Sequence, residues 1–296
     1  MKLLIRKIYL FLLNFVSTLT SCIRIVIHSK KNEITKLSRK SQCALILGNG
    51  PSLTGDMTSL IKFSKIKQCD IWAVNDFALT QTFFLIKPKF YVIADPNYWV
   101  VDTVPELIKL RDQLFEVFNK HVSWPIVLFV PLRAKDYGLE NKIASDNVKI
   151  VFFNSTPITG FVGFQYWTFS RQFGMVSAYN VLVAAIALAL CMRYPNLYIG
   201  GADHSWHEEL SVDLKGVPHI KQKHFYNEED SQAIPFYKNS NETFTIAELF
   251  LGWGNLFLQY AILNRYARSI EAKIYNVSSK TYIDAFARLS INKLDK

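Results

Sequence analysis

The stretch Leu45-Ile46-Leu47-Gly48-Asn49-Gly50-Pro51-Ser52-Leu53 decides the fold of this chain. Apolar residues run directly into Gly-Asn-Gly-Pro-Ser, a pattern that predicts a buried parallel strand, a tight turn and the start of a helix. Glycine lets a backbone reach positive φ and approach a ligand closely. Ligands bind at the carboxyl ends of strands in open α/β sheets. The stretch therefore predicts a nucleotide site, with Gly48, Asn49, Gly50 and Ser52 as candidate binding residues.

Two common phosphate-binding motifs do not fit this turn. The Gly-Lys-Ser/Thr ending of a Walker A loop does not follow it, and it has two glycines of the three in a GxGxxG fingerprint. An ATP-binding P-loop and a dinucleotide site are therefore disfavoured.

The rest of the chain alternates apolar, strand-like runs with helical patterns. This alternation predicts an α/β fold, a single Rossmann-like domain with a mostly parallel sheet over residues 41–296. The predicted strands are 43–48, 70–74, 90–94, 125–130, 148–153, 196–202 and 272–276. The predicted helices are 54–64, 103–119, 177–193, 243–268 and 280–288. Residues 204–240 are polar and lack periodicity, which predicts a lid insertion.

Positive charge is concentrated at the N-terminus. The 296 residues carry a net charge of +10, and residues 1–40 hold nine lysines and arginines against one glutamate, so the remainder is nearly neutral. This distribution disfavours nucleic-acid binding. The uncharged run 8–23 is shorter than the ~20 residues of a membrane-spanning helix, but apolar residues flanked by cations suit a helix that lies in an anionic membrane surface. We expect residues 1–27 to associate with a membrane and 28–42 to form a linker; an amphipathic helix packed on the domain is the alternative.

The four cysteines show no metal-binding or disulfide spacing. They are Cys22, Cys43, Cys69 and Cys191. Their scatter predicts neither a zinc site nor a disulfide framework, and it favours a reducing compartment. Cys43 and Cys191 adjoin apolar runs and are expected in the core.

Polar residues follow several predicted strands. Asn75 follows the second strand, Asp95-Pro96 follows the third, and Asp203 follows a later one. Each alone is commonly a turn former, but parallel strands bring their carboxyl ends to one edge. Ser177 precedes a very apolar helix as a predicted N-cap, and simple capping is favoured there over anion binding by the helix N-terminus.

In combination, these pieces resemble the bacterial lipooligosaccharide sialyltransferase family, of which this chain would be a divergent member. The shared order is strand–GNGPSL, strand–Asn, strand–acid/Asn-Pro, a Ser-small-Tyr helix, strand–Gly-x-Asp, a lid and a His-aromatic pair, over residues 43 to about 288. The resemblance implies a GT-A-like, Rossmann-type transferase that uses CMP-activated sugars.

The resemblance also implies roles for individual residues. Asn49 and Asn75 match asparagines that hold the cytidine ribose and phosphate, and Asp95-Pro96 takes the place of an Asn-Pro segment beside the donor sugar. Ser177-Ala178 matches a Ser-Gly pair that binds the nucleotide sugar. His224 matches the catalytic base, with His204 as the rival base. Members of the family use two tyrosines of the lid on the leaving phosphate. The chain departs from them, because no tyrosine lies between Asp203 and His224.

The predicted function is an inverting transfer of a 2-keto sugar acid, sialic acid or Kdo-like, from a CMP-sugar to a hydroxyl of a cell-surface glycan or glycolipid, as in lipopolysaccharide biosynthesis. No Asp-x-Asp occurs in the chain, which fits a metal-independent reaction with no cofactor beyond the donor. The expected location is the cytoplasmic face of the bacterial inner membrane, peripheral or monotopic. Homo-oligomerisation is left open.

Two other functions compete with this one. A pterin pyrophosphokinase-like family shares a Gly-x-Gly-Pro-Ser-Leu turn and would need ATP and a divalent ion, with Asp95 and Asp203 as candidate ligands. A non-catalytic membrane-surface scaffold that keeps a nucleotide fold is the other alternative.

Overall fold

A computed structural model describes residues 1–37, 39, 41–100, 105–221, 225, 233–239 and 242–290. Its centre is an eight-stranded, all-parallel sheet, and the fold is Rossmann-like α/β, as predicted. The strands of this sheet are β1 (Cys43–Leu47), β2 (Asp70–Val74), β3 (Phe90–Val92), β4 (Ile126–Pro131), β5 (Val148–Phe153), β6 (Asn196–Gly200), β12 (Lys273–Asn276) and β13 (Ala287–Arg288). Their order is β13-β12-β6-β1-β2-β3-β4-β5.

Seven α-helices accompany the sheet within the described residues. They are α1 (Lys2–His28), α2 (Leu53–Lys67), α3 (Gln81–Ile86), α4 (Pro105–Glu116), α5 (Val162–Ser170), α6 (Val181–Cys191) and α7 (Ile246–Ser269). Successive strand residues point to opposite faces, so Ala44 and Ile46 pack with α6 and α7, whereas Leu45 and Leu47 pack with α2, α3 and α4. Burial on both faces explains why the strands read as continuous apolar runs.

Two predicted elements differ from the structure. The helix predicted over 280–288 is wrong: this segment is irregular and ends in β13, because side chains bind its backbone. Thr281 Oγ1 accepts the Ile283 N–H at 3.1 Å, and such local bonds compete with a helix. The described part of the predicted lid also carries short strands: β7 (Leu210–Val212), β8 (Pro218–Ile220), β9 (Ile234–Pro235) and β10 (Tyr237–Asn239), and β11 (Glu242–Thr243) follows it.

The helix α1 packs on the domain through part of its length. Ser21 is buried and its Oγ donates to the Thr159 carbonyl at 3.0 Å, while the ring of Phe11 lies 5.3 Å from that of Phe161. Most other apolar side chains of α1 are exposed. By length and composition alone, α1 and α7 are each long and apolar enough to cross a membrane.

The segment predicted as a linker is fastened to the sheet. Asn154 Oδ1 accepts the Lys30 N–H at 3.0 Å, Asn32 Nδ2 donates to Gln172 Oε1 at 2.8 Å, and Ile34 is fully buried. The described residues between α1 and β1 therefore hold α1 against the domain.

The cysteine prediction was wrong, because a disulfide joins Cys43 to Cys69. The parallel register pairs Ala44 with Asp70, and this places the two preceding cysteines side by side. Disulfides are typical of oxidising compartments, so the bridge does not support a reducing one. Cys43 and Cys191 are buried, as expected.

We expect loss of this bridge to destabilise the protein. The cysteines are 26 residues apart, and a loop of that length corresponds to roughly 3 kcal/mol of stabilisation. Urea unfolding of C43A/C69A should show that loss, and the variant should be insensitive to reductant. The exposed Cys22→Ala is the matched control and should keep the wild-type response. Equal midpoints for the wild type with and without reductant would contradict the expectation.

Candidate functional site

A cleft lies at the point where the direction of strand addition reverses. Strands β2 to β5 extend the sheet on one side of β1, whereas β6 and β12 extend it on the other. Such a switch point is where open α/β sheets bind ligands, at the carboxyl ends of the strands. Here a cavity of about 520 Å³ is lined by residues 48–52, by Asn75, by 180–182, by residues of the 201–209 loop, and by Lys221, Ser279 and Lys280.

The glycines of the first turn serve contact between two loops of the protein. The Gly48 N–H donates to the Gly200 carbonyl at 2.8 Å, and the Gly50 N–H donates to the Gly201 carbonyl at 2.9 Å. A Cβ on Gly48 would lie 2.5 Å from the Gly201 oxygen, and one on Gly50 would lie 2.4 Å from Asp203 Oδ1. Neither Gly48 nor Gly50 has positive φ. These two glycines therefore do not use the positive φ that glycine allows, and their close approach is to the neighbouring loop.

Asp203 joins these two loops through its carboxylate. Oδ2 accepts the Ser52 N–H at 2.8 Å and Oδ1 accepts the Ser52 hydroxyl at 2.6 Å. Burial raises the pKa of the Asp203 carboxyl above its usual value, although the bonds from Ser52 oppose that shift. The carboxylate occupies the start of α2, where the helix dipole favours an anion. Asp203 and Ser52 thus line the cleft while being bonded to each other.

The loop after β12 is joined by hydrogen bonds to the loop after β6 and to α2. The Ala202 N–H donates to Ser278 Oγ at 2.9 Å, and the Ser279 N–H donates to Asp56 Oδ2 on α2 at 2.7 Å. The loops after β1, β6 and β12 are therefore fixed relative to one another by hydrogen bonds.

Asn49 and Asn75 line the cleft, and each has a buried side-chain acceptor. Within the described residues, Oδ1 of each side chain is buried without a hydrogen-bond partner. The Asn49 amide nitrogen is directed to the Val74 carbonyl at 3.4 Å, which leaves its oxygen as the unpaired atom. Asn75 has a left-handed backbone with φ of 49°, which asparagine tolerates. A buried acceptor without a partner is costly, so both oxygens suit a ligand that donates hydrogen bonds.

The N-terminus of α6 also faces the cleft. The cap is Asn180, whose Oδ1 accepts the Leu182 N–H at 2.8 Å, and residues 180–182 line the cavity. The prediction of Ser177 as the cap was wrong by three residues. The Ser177 N–H instead donates to Gln259 Oε1 at 3.2 Å. The sequence favoured a capped helix start, and the structure confirms one with a different residue.

Charged and aromatic side chains complete the lining. Lys280 forms an ion pair with Glu208, and the Tyr282 hydroxyl donates to the same carboxylate at 2.5 Å. The ring of Trp206 lies 4.4 Å from that of His204. Sequence reasoning did not select Asn180, Lys221 or Lys280. Lys280 follows the β12 strand, and its place beside the carboxyl end of a parallel strand was a usable signal.

The structure describes one of the two candidate bases, His204, and not the other, His224. His204 is buried, its Nε2 lies 2.7 Å from the Tyr260 hydroxyl, and burial lowers its pKa to about 3. Such a group is a weak base at neutral pH. His224 lies outside the described residues. Phe225, which follows it in the sequence, donates its N–H to the Asn49 carbonyl at 3.2 Å.

The remaining candidates lie elsewhere on the same edge. Pro96, Ser177 and Ala178 line a second cavity, also of about 520 Å³. Asp95 accepts the Asn97 N–H at 2.9 Å in a turn after β3, and it lines neither cavity. The structure therefore brings together Gly48, Asn49, Gly50, Ser52, Asn75, Asp203 and His204, and it separates them from Asp95, Pro96, Ser177 and Ala178.

Comparison with known proteins returns no matching family model and no matching curated protein.

The close contact between the two loops predicts that replacement of Gly50 by alanine destabilises the protein. Gly50→Ala would force a Cβ against Asp203 and the Gly201 carbonyl, and such overpacking costs roughly 1–3 kcal/mol. Gly55, in the first turn of α2, has open space around its Cβ position, so Gly55→Ala should be neutral or stabilise by about 0.5–1 kcal/mol. Chemical unfolding of both variants checks this pair. Equal stabilities for the two would refute the role of Gly50.

Proposed function

We propose that this protein is an inverting, metal-independent glycosyltransferase that moves a 2-keto sugar acid from a CMP-sugar to an acceptor hydroxyl. The observation that carries the proposal is the pair of buried amide oxygens, on Asn49 and Asn75, that lack partners within the described residues of the switch-point cleft. Ribose hydroxyls and the amino group of cytosine are donors that would satisfy such oxygens.

A helix N-terminus and two lysines of the cleft support a phosphate-bearing ligand, in a lining that also holds the carboxylates of Asp203, Glu208 and Glu209, with Glu208 paired to Lys280. The N-terminus of α6 lines the cavity, together with Lys221 and Lys280. Helix N-termini and lysines stabilise a departing phosphate by oriented dipoles and charge, without a metal ion. In this proposal, CMP leaves as its bond to the anomeric carbon breaks, while the acceptor oxygen bonds to that carbon from the opposite face.

The acceptor hydroxyl must lose its proton during the transfer. We assign this step to His224, as the resemblance to the lipooligosaccharide sialyltransferases implies. A histidine of ordinary pKa is half-ionised near 6.5 and serves as a base at neutral pH. His204 is less suited to the step because of its low pKa and its contact with Tyr260.

The location is also part of the proposal. The apolar side chains of α1 are largely exposed, yet Ser21 and the ring of Phe11 contact the domain. A helix held along the domain surface favours monotopic or peripheral attachment through residues 1–27 over spanning. We assign the cytoplasmic face of the bacterial inner membrane from the resemblance. The Cys43–Cys69 disulfide argues against this assignment, because disulfides are typical of oxidising compartments.

The pyrophosphokinase alternative fits the geometry less well. Asp95 follows β3 and Asp203 follows β6, and these strands are three positions apart in the sheet. At about 4.8 Å per strand they are separated by roughly 14 Å, whereas the ligands of one Mg²⁺ lie within ~2.1 Å of it. The Asp203 carboxylate is moreover bonded to Ser52.

Thermal shift of the full chain in detergent tests nucleotide choice. We expect CMP with EDTA to raise the melting temperature, by about 2–4 °C for each kcal/mol of binding. Asn49→Ala and Asn75→Ala should each weaken CMP binding about tenfold, because each removes one buried acceptor. Asn141→Ala, on the exposed surface, is the matched control. Stabilisation by ATP with magnesium, and not by CMP, would favour the pyrophosphokinase.

The role of the base has its own test. His224→Ala should lower turnover of CMP-linked 2-keto sugar acids by roughly 10²–10⁴-fold, since that is the usual contribution of a positioned base. Its stabilisation by CMP should remain. The exposed His121→Ala provides the control and should keep full activity. A fully active His224→Ala enzyme would remove the assignment, and a wild type that binds CMP without transfer would favour the scaffold.

A further inference from the structure

The second cavity of the carboxyl edge is not used by the donor site. It has a volume of about 520 Å³ and lies between the end of α1, the 94–99 segment after β3, the turn after β4, residues 153–157 at the end of β5, and residues 177–179. It shares a wall with the donor cleft, because residues 177–179 line the second cavity and 180–182 line the first. A molecule held in it would therefore lie beside the donor.

The ionisable basic and acidic side chains that line this cavity are all of the basic kind. They are Arg24 and His28 from α1 and Arg133 from the turn after β4, and no aspartate or glutamate is among its lining residues. Within the described part of the chain, Arg24, His28 and Arg133 form no ion pair. Ser177 and Tyr179 add hydroxyl groups. Unpaired guanidinium groups with nearby hydroxyls suit a phosphate or carboxylate ligand.

The basic character continues next to this cavity. A smaller cavity of about 260 Å³ shares Leu132 with it and is lined by Lys30, Lys31, Lys135 and Lys149, with Glu33 as its acidic residue. Positive charge therefore accumulates where α1 ends and the sheet begins. Such clusters beside an apolar helix are attracted to anionic membrane surfaces.

Exposed apolar side chains lie within one turn of the basic residues of α1. Ile23, Val26 and Ile27 are 60%, 82% and 66% exposed, and they alternate with Arg24 and His28. A membrane that accepted these side chains would bring anionic headgroups within about one helical turn of Arg24 and His28. The source of the anion is therefore a lipid.

We propose that the second cavity holds the phosphate or carboxylate group of a membrane lipid acceptor, with Arg24 and Arg133 as the principal cations. The inference rests on the proposed glycosyltransferase function, and it names the acceptor class as an anionic glycolipid. Its anionic group binds on one side of the 177–182 segment, and its reactive hydroxyl meets the donor on the other side.

Binding of a soluble probe by the full chain in nonionic detergent tests the subsite. The probe is dihexanoyl phosphatidic acid, with inorganic phosphate as the lipid-free arm. R24Q/R133Q should bind the lipid probe at least about tenfold more weakly than the wild type. R6Q/K7Q removes the same charge from the other end of α1 and should bind as the wild type does. Stabilisation by CMP, measured on the same samples, should be equal in all three.

Each contrary outcome has a separate meaning. Equal weakening in R24Q/R133Q and R6Q/K7Q would show general charge attraction and overturn the subsite. Equal affinity for inorganic phosphate and for the lipid would overturn the lipid as its occupant. Stabilisation by CMP without binding of the lipid probe would overturn the subsite alone. Binding of the lipid probe without stabilisation by CMP would keep the anion site and overturn the donor function.

Discussion

The structure depends on the burial of one carboxylate at the junction of two loops. Asp203 accepts both the N–H and the hydroxyl of Ser52, and this is sterically allowed because Gly50 has no Cβ. Desolvation of the carboxylate is unfavourable, as its raised pKa indicates, and the two bonds offset that cost. The loops after β1 and β6 thereby become one rigid floor for the cleft.

This arrangement changes which helix N-terminus is available to bind a phosphate group. In many nucleotide-binding folds the first helix after the glycine turn offers its N-terminus to phosphate. Here the start of α2 is taken by the carboxylate of Asp203. The N-terminus of α6, capped by Asn180, also lines the cleft. We therefore place the phosphate of the proposed donor toward α6 and its ribose toward Asn49 and Asn75.

The position of α1 relates the membrane to the chemistry. Ser21 and the residues that follow α1 are bonded to the domain, so the exposed apolar side of the helix has a fixed place relative to both cavities. The segment 177–182 separates them. In the proposed function, the lipid acceptor occupies the second cavity and the water-soluble donor occupies the first. The two substrates then lie on opposite sides of segment 177–182, and neither has to cross the sheet.

The sequence alone determined the seven predicted strands and the edge at which the site lies, because apolar runs followed by polar turns report burial and chain reversal locally. The sequence also indicated Asn49 and Asn75 as candidate nucleotide-binding residues. Tertiary structure decided the rest. The pairing of Cys43 with Cys69 follows from strand register, and the separation of Ser177 from the switch-point cleft follows from where α6 begins. These features depend on contacts between distant segments, which local sequence patterns do not encode.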